Sequence, residues 1–432
     1  MVTDVVLWSV AIGAMSMRLL CLSNGHGEDQ IAVRILEALR AHANAPMIDV
    51  LPIVGNGAAY QKANFSIIGP TQVMPSGGFI NLDAGKQLAR DLEAGLVRLT
   101  LAQRRAIREW TMASAEPRLV LAVGDIVPLI FAWRSGLPFA FVGTAKSEYY
   151  LRDETGWHER ASWWDDRFLK LTGGVYLPWE RWLLRRDRCR AVFPRDPLTV
   201  AQLQAQGVGA IDAGNPMMDG LGAVGPVSLP ETGPVTIALI PGSRPPELYE
   251  NWALMVQAVR DLSNQLDRSV NLLAAVIPQV DPDQIAAPLA GWRQVEPHRY
   301  QCGSDAHVTN LTIYPGGFVE CIQQSQLAIA MAGTATEQFV GLGKPVVTLP
   351  GAGPQFVPAF AEAQTRLLGH SVYLVERPAQ VAVIVQQLLT APPQTWQAIA
   401  ENGHRRMGFP GAAQRIANCL MQQFEQLPQQ EF

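Results

Sequence analysis

The sequence predicts an α/β protein of two doubly wound, Rossmann-like domains facing across a cleft, and two observations carry that prediction. Short β-rich runs alternate with longer amphipathic runs along the chain. The alternation stops at residues 220–234 (GLGAVGPVSLPETGP), where four glycines and three prolines leave no apolar period, and then restarts. Two α/β halves joined by that segment suggest two doubly wound domains, whose ligands sit in the loops at the carboxyl ends of the strands.

The elements follow in order. Leu19–Leu22 is the first strand, and a turn at Ser23-Asn24-Gly25 leads into a helix from Gln30 to about His42, where Ile31, Ile35, Leu36 and Leu39 recur at helical spacing. Residues 47–53 read as a strand, 86–110 as a long arginine-dotted helix, and 118–124 (RLVLAVG) and 138–143 as buried parallel strands. Beyond the break come strand 236–240, helix 247–266, strands 270–277 and 327–331, a helix from about Thr336, strand 345–349, and helices to the end. This divides the chain into an N-terminal extension (1–16), a domain over 17–219, a linker (220–234), a domain over 235–408 and a C-terminal helix (409–432) that could pack back on the first domain.

Composition bounds the partners. At 432 residues, 48% hydrophobic and 17% charged, the chain has ample core for two or three domains. Thirty-four basic against 38 acidic residues give a net charge of −4, which argues against a nucleic-acid partner. Five scattered cysteines (21, 189, 302, 321 and 419), with no CxxC pair, fit a reducing compartment. The longest charge-free run, Pro378–Ala400, carries five glutamines and three prolines and does not suit a membrane span. Val5–Met17 is short and flanked by Asp4 rather than by basic residues, so it does not read as a signal peptide. The expected location is the cytoplasm, with peripheral membrane contact left open.

Four loops could carry chemistry. In the first, Gly25-His26-Gly27-Glu28-Asp29, glycines let backbone amides approach a ligand and His26 could act as a general base at neutral pH. The same residues would also suit a plain turn with Asp29 as helix cap. In the second, Pro241-Gly242-Ser243-Arg244-Pro245-Pro246-Glu247, an arginine fixed between Gly-Ser and Pro-Pro at a strand end is placed to bind phosphate. In the third, Gly333-Thr334-Ala335-Thr336-Glu337 offers a nest of amides for a diphosphate and a carboxylate for ribose hydroxyls. It also has capping-box spacing. The fourth, Pro350 to Phe356 with Gln355, and Glu362 and Gln364 beyond it, suits sugar hydroxyls or an ordinary turn. Asp281-Pro282-Asp283 has the D-x-D form but precedes a helix start, so capping explains it and no metal is expected.

The order SNGHGED, GNPMMD (Gly214–Asp219), IPGSRPPE and AGTATEQ resembles lipid-A-disaccharide synthase and its relatives, which are GT-B glycosyltransferases. The resemblance runs through most of the chain from Met17, most specifically in the C-terminal half. It implies that Arg244, Thr334 and Glu337 contact the diphosphate and ribose of a UDP-sugar, and the reading of the loops adds Gly242, Ser243, Gly333, Ala335 and Gln355 to that site. The N-terminal half departs from the pattern: the synthase has two aspartates around a proline after its third strand, whereas Val123–Pro128 keeps only Asp125. Gly25-His26 is more similar to the glycine-histidine loop of GT-B enzymes that glycosylate undecaprenyl-linked precursors or diacylglycerol.

The segment 157–190 holds five of the 11 tryptophans, and Trp179, Trp182, Arg185 and Arg186 lie together in it. Aromatics beside arginines match an interfacial, anionic-membrane-seeking stretch. They equally suit an amphipathic helix with its tryptophans in the core. The loop 74–79 (MPSGGF) could add a second apolar contact.

The expected activity is metal-independent transfer of a sugar from a UDP-sugar to a lipid or amphiphilic acceptor, with no cofactor beyond the donor. His26 would take the acceptor proton, and Glu28, Asp29 or Asp125 would orient it or replace it. A UDP-sugar epimerase of the same fold and a non-catalytic binding protein are the alternatives. Oligomeric state is open, with a homodimer among the options.

Overall fold

A computed structural model describes residues 17–25, 27–73, 95–113, 116–158, 170–222, 225, 229, 233–304, 306–351 and 356–426. The chain forms two compact units: residues 1–144, 182–192 and 413–432 make the first, and 145–181 with 193–412 the second. The segment 220–234 thus lies inside the second unit, and residues 413–432 belong to the first.

In chain order the strands are β1 (Arg18–Ser23), β2 (Met47–Pro52), β3 (Ser66–Ile67), β4 (Arg118–Gly124), β5 (Phe139–Gly143), a hairpin of β6 (Arg152–Asp153) and β7 (Gly156–Trp157), and β8 (Cys189–Phe193). The first unit's sheet has the order β3-β2-β1-β4-β5-β8, with β3 to β5 joined in parallel. Its strands read as continuous apolar runs because both faces are covered: Leu19–Leu22 and Leu119–Val123 are fully buried. The helix Gly27–Arg40 buries Ile31, Ile35, Leu36 and Leu39. Of the expected helix 86–110, residues 86–94 lie outside the described residues and the remainder runs on as Leu96–Met112.

The second unit continues with β9 (Val235–Ile240), β10 (Val270–Val276), β11 (Arg293–Glu296), β12 (Arg299–Gly303), β13 (Val308–Pro315), β14 (Leu327–Ala330), β15 (Val346–Thr348) and β16 (Val372–Leu374). The sheet order is β11-β12-β13-β10-β9-β14-β15-β16. From β13 to β16 every pairing is parallel, and β12 and β11 add an antiparallel edge. Counted from β9, the parallel part has the Rossmann order 3-2-1-4-5-6, which puts the topological switch point between the carboxyl ends of β9 and β14. Trp252, Met255, Val256 and Val259 of the helix Glu247–Val259 pack on Ile237 and Leu239 in the core, each such burial stabilising by about 1.5–3 kcal/mol.

Several elements differ from expectation, and β3, β6, β7, β8 and β13 add strands that the sequence reading did not mark. The helix expected over 247–266 breaks after Val259 into a separate turn Leu262–Gln265, because the backbone leaves the helical region at Asp261 (φ −113°, ψ 19°). β11 and β12 have no sequence signature because their residues are polar and mostly exposed. The strand β16 interrupts the all-helical run expected after Leu349.

Candidate functional site

In the first unit, β1 delivers Ser23 and the following turn to the start of the helix Gly27–Arg40. Gly25 has φ 111°, and a side chain there would collide with the Val54 carbonyl, so only glycine fits. His26 lies outside the described residues. Glu28 is 9% exposed and Asp29 3%, an unusual burial for two adjacent carboxyls. Asp29 is not the cap. It sits in the first helical turn and accepts from Ser23 Oγ at 2.5 Å, and that hydroxyl in turn accepts from Tyr60 OH at 2.7 Å. Glu28 Oε1 accepts from Thr144 Oγ1 at 3.4 Å. Asp125 caps the helix Ile126–Arg134, accepting from Val127 N at 2.9 Å.

Burial pushes the Glu28 carboxyl up to about 7, with the Asp125 and Asp29 charges adding to it, and burial lifts Asp29 to about 6 against the Ser23 hydrogen bond. Glu28 therefore holds its proton more tightly folded than unfolded. Its contribution is present in full below its ordinary value of 4.5 and lost as pH rises through about 7. At 1.36 kcal/mol per pH unit this is about 3 kcal/mol. Urea denaturation from pH 5 to pH 8 should show this fall, and Glu28→Gln should reduce it to the part below about pH 6 that Asp29 contributes. An equal slope in the variant would contradict the assignment.

In the second unit, the two loops read as phosphate binders leave β9 and β14, neighbouring strands at the switch point. Gly242 has φ 101°, and a side chain there would press on the Met331 carbonyl at 3.3 Å. Asn251, buried in the helix Glu247–Val259, joins the loops by donating from Nδ2 to Pro241 O at 3.0 Å and Met331 O at 3.3 Å. Glu247 accepts from Phe356 N at 2.6 Å and ties the fourth loop to the same helix. Ser243 is exposed and Arg244 half-buried at the mouth of this arrangement.

The helix Thr334–Gly341 begins at the third loop with Gly333 as its N-cap and no side-chain cap, so the amides at its open end keep their donors available. Thr334 is exposed and Ala335 half-buried. Gln364 steadies the loop, donating to Ala332 O at 3.0 Å and Gly333 O at 3.3 Å, and its buried Oε1 has no hydrogen-bond partner among the described residues. The GNPMMD segment packs on this helix too: Gln338 Nε2 donates to Met217 O at 2.9 Å, and Met218 lies against Gly341. Gln355 lies outside the described residues.

Glu337 does not close a capping box. Its Oε2 accepts from Arg195 Nη2 at 2.7 Å, an ion pair with side chains 10% and 3% exposed. Sequence reading singled out neither Arg195 nor Asn251. Arg195 had a usable signal, an arginine between two prolines (Pro194-Arg195-Asp196-Pro197) directly after a strand, just as Arg244 also follows a strand and precedes a proline.

Trp179 and Trp182, on the helix Pro178–Leu184, are 54% and 46% exposed and therefore not core residues. The Arg186 guanidinium stacks 3.5 Å from the Trp182 ring centroid, Trp133 meets that ring edge-on at 5.7 Å, and Arg185 is exposed. Trp163, Trp164 and the loop 74–79 lie outside the described residues. Asp281 caps the helix Pro282–Ala286, accepting from Asp283 N and Gln284 Nε2, both at 3.0 Å. Among the described residues, no helix is long and apolar enough to cross a membrane.

No protein-family model and no curated protein matches the chain. Solved structures do. A UDP-GlcNAc 2-epimerase from Neisseria meningitidis bound to UDP-GlcNAc matches with TM-score 0.55 and 13% identity over 94% of this chain and all of its own. S. aureus MnaA in complex with UDP matches with TM-score 0.53 and 13% identity, over 96% and 98%. Acinetobacter baumannii MurG matches with TM-score 0.51 and 14% identity, over 94% and 99%. Identities this low speak for the architecture alone. The chain has the GT-B fold, with two Rossmann-like α/β units, and its solved neighbours are enzymes of that fold, both UDP-GlcNAc 2-epimerases and glycosyltransferases.

Proposed function

We propose that this chain is a metal-independent glycosyltransferase that moves a sugar from a UDP-sugar to a lipid or other amphiphilic acceptor, in the manner of lipid-A-disaccharide synthase. The observation that carries this reading is the joining of the Gly242–Arg244 and Gly333–Glu337 loops at the β9/β14 switch point by Asn251. Open helix amides and an arginine there suit a diphosphate, and a carboxylate one turn on suits ribose hydroxyls.

In the reaction, the acceptor oxygen bonds to the anomeric carbon while the bond from that carbon to the β-phosphate oxygen breaks. Arg244 and the amides of Gly333–Ala335 stabilise the charge that gathers on the departing UDP. Glu28, its carboxyl raised by burial to about 7 with the Asp125 and Asp29 charges adding to it, or His26, two residues earlier in sequence, takes the acceptor proton. The exposed Trp179 and Trp182 with Arg185 and Arg186 supply contact with an anionic membrane holding the acceptor.

The buried acid pair Glu28/Asp29 also favours a second reading, epimerisation of a UDP-sugar, which needs proton transfer but no acceptor. Mass spectrometry separates the two. UDP-hexoses and UDP-N-acetylhexosamines incubated with vesicles of a membrane lipid extract should give free UDP and a lipid heavier by one sugar. A new UDP-sugar isomer without acceptor would favour the epimerase, and no turnover with any donor would overturn both.

A further inference from the structure

We propose that Arg195 is a positioning residue that fixes the Glu337 carboxylate for recognition of a ribose 2′-hydroxyl, an inference that rests on the UDP-sugar reading above. Arg195 lies just past β8, 142 residues before Glu337, yet its Nη2 stands 2.7 Å from Glu337 Oε2 and its sulfur neighbour Met407 Sδ is at 3.6 Å. Both charges are buried, so the pair persists in salt that would screen a surface bridge. The adjacent Asp196 does not compete for this role. Its carboxylate caps the helix Pro197–Ala205, accepting from Thr199 N and Oγ1, both at 2.8 Å. Tyr150 faces the same pair, and burial together with the Glu337 charge lifts its phenol to about 12, so it stays a neutral neighbour.

The consequence is a carboxylate with divided duties. Oε2 is held by Arg195, and among the described residues Oε1 receives no hydrogen bond from the protein. Glu337 is the fourth residue of the helix Thr334–Gly341, one turn behind the open amides read as the diphosphate cradle. A glutamate without such a tether would lose rotamer freedom on every binding event, whereas Arg195 has ordered it beforehand. Recognition of the sugar edge of the nucleotide then depends on a residue that never touches it.

The test is calorimetric titration of UDP and 2′-deoxy-UDP. A hydroxyl donating to a fixed carboxylate gives wild type a preference for UDP of about 10–100-fold. In Arg195→Met that preference should fall to within about threefold of unity, while circular dichroism reports the native fold. If Met prevents folding, Arg195→Lys keeps a charge at the site without the planar fork, and it should cut the preference at least about threefold. A folded Arg195 variant that binds both nucleotides more weakly but keeps the wild-type preference would overturn the inference and leave the ribose role of Glu337 standing. A wild-type preference near unity would instead remove that ribose role, and the inference with it.

Discussion

Glu28→Gln is expected to lower turnover by about 10²–10⁴-fold while UDP affinity stays within about twofold of wild type. The substitution keeps the shape of the side chain and its contact with Thr144 but removes the only carboxyl of the first unit's loop that lies near neutrality. The remaining wild-type activity should rise with pH and level off above about 7, as the proton acceptor loses its own proton. Steady-state assays of the purified protein, with His26→Ala alongside, check this. A full effect in His26→Ala and none in Glu28→Gln would make the histidine the base and Glu28 a buried acid of structural origin.

Glu337→Ala should destabilise the protein by about 3–5 kcal/mol, because it removes one partner of a buried ion pair. Glu337→Gln keeps a hydrogen-bond acceptor opposite Arg195 and should cost less. Urea melts at pH 7 of both variants measure the difference. A loss below about 1 kcal/mol for Glu337→Ala would mean that the guanidinium finds water or another partner, and that the pair contributes little. This is also why alanine is a poor probe of nucleotide binding here.

Much of the fold was legible because parallel strands covered on both faces leave unbroken apolar runs. RLVLAVG became β4 at the bounds read from sequence, and Ile31, Ile35, Leu36 and Leu39 face the core as their spacing implies. β11 and β12 were not legible, since an antiparallel edge of polar residues has no alternation to read. In the candidate site, the loops at Gly242–Arg244 and Gly333–Glu337 were legible from their glycines and from their place after strands. The link between them was not. Asn251 joins carbonyls 90 residues apart in sequence (241 and 331), and Arg195 reaches Glu337 across 142 positions, so neither contact leaves a local signal. The capping-box spacing at Glu337 pointed to a local hydrogen bond that the ion pair displaces. Likewise Asp29 has a cap's composition at a helix start, but the hydroxyl of Ser23 in the preceding strand claims it.

The most direct test of the UDP-sugar reading is calorimetric titration of UDP, with ADP and GDP as controls, into the wild-type protein and Arg244→Ala. Micromolar binding of UDP, about −8 kcal/mol, is expected, with both purine nucleotides at least tenfold weaker and UDP weakened about 10–100-fold by the substitution. Folded wild-type protein that binds no UDP, or binds all three nucleotides alike, would contradict it and leave a GT-B fold that serves some other ligand.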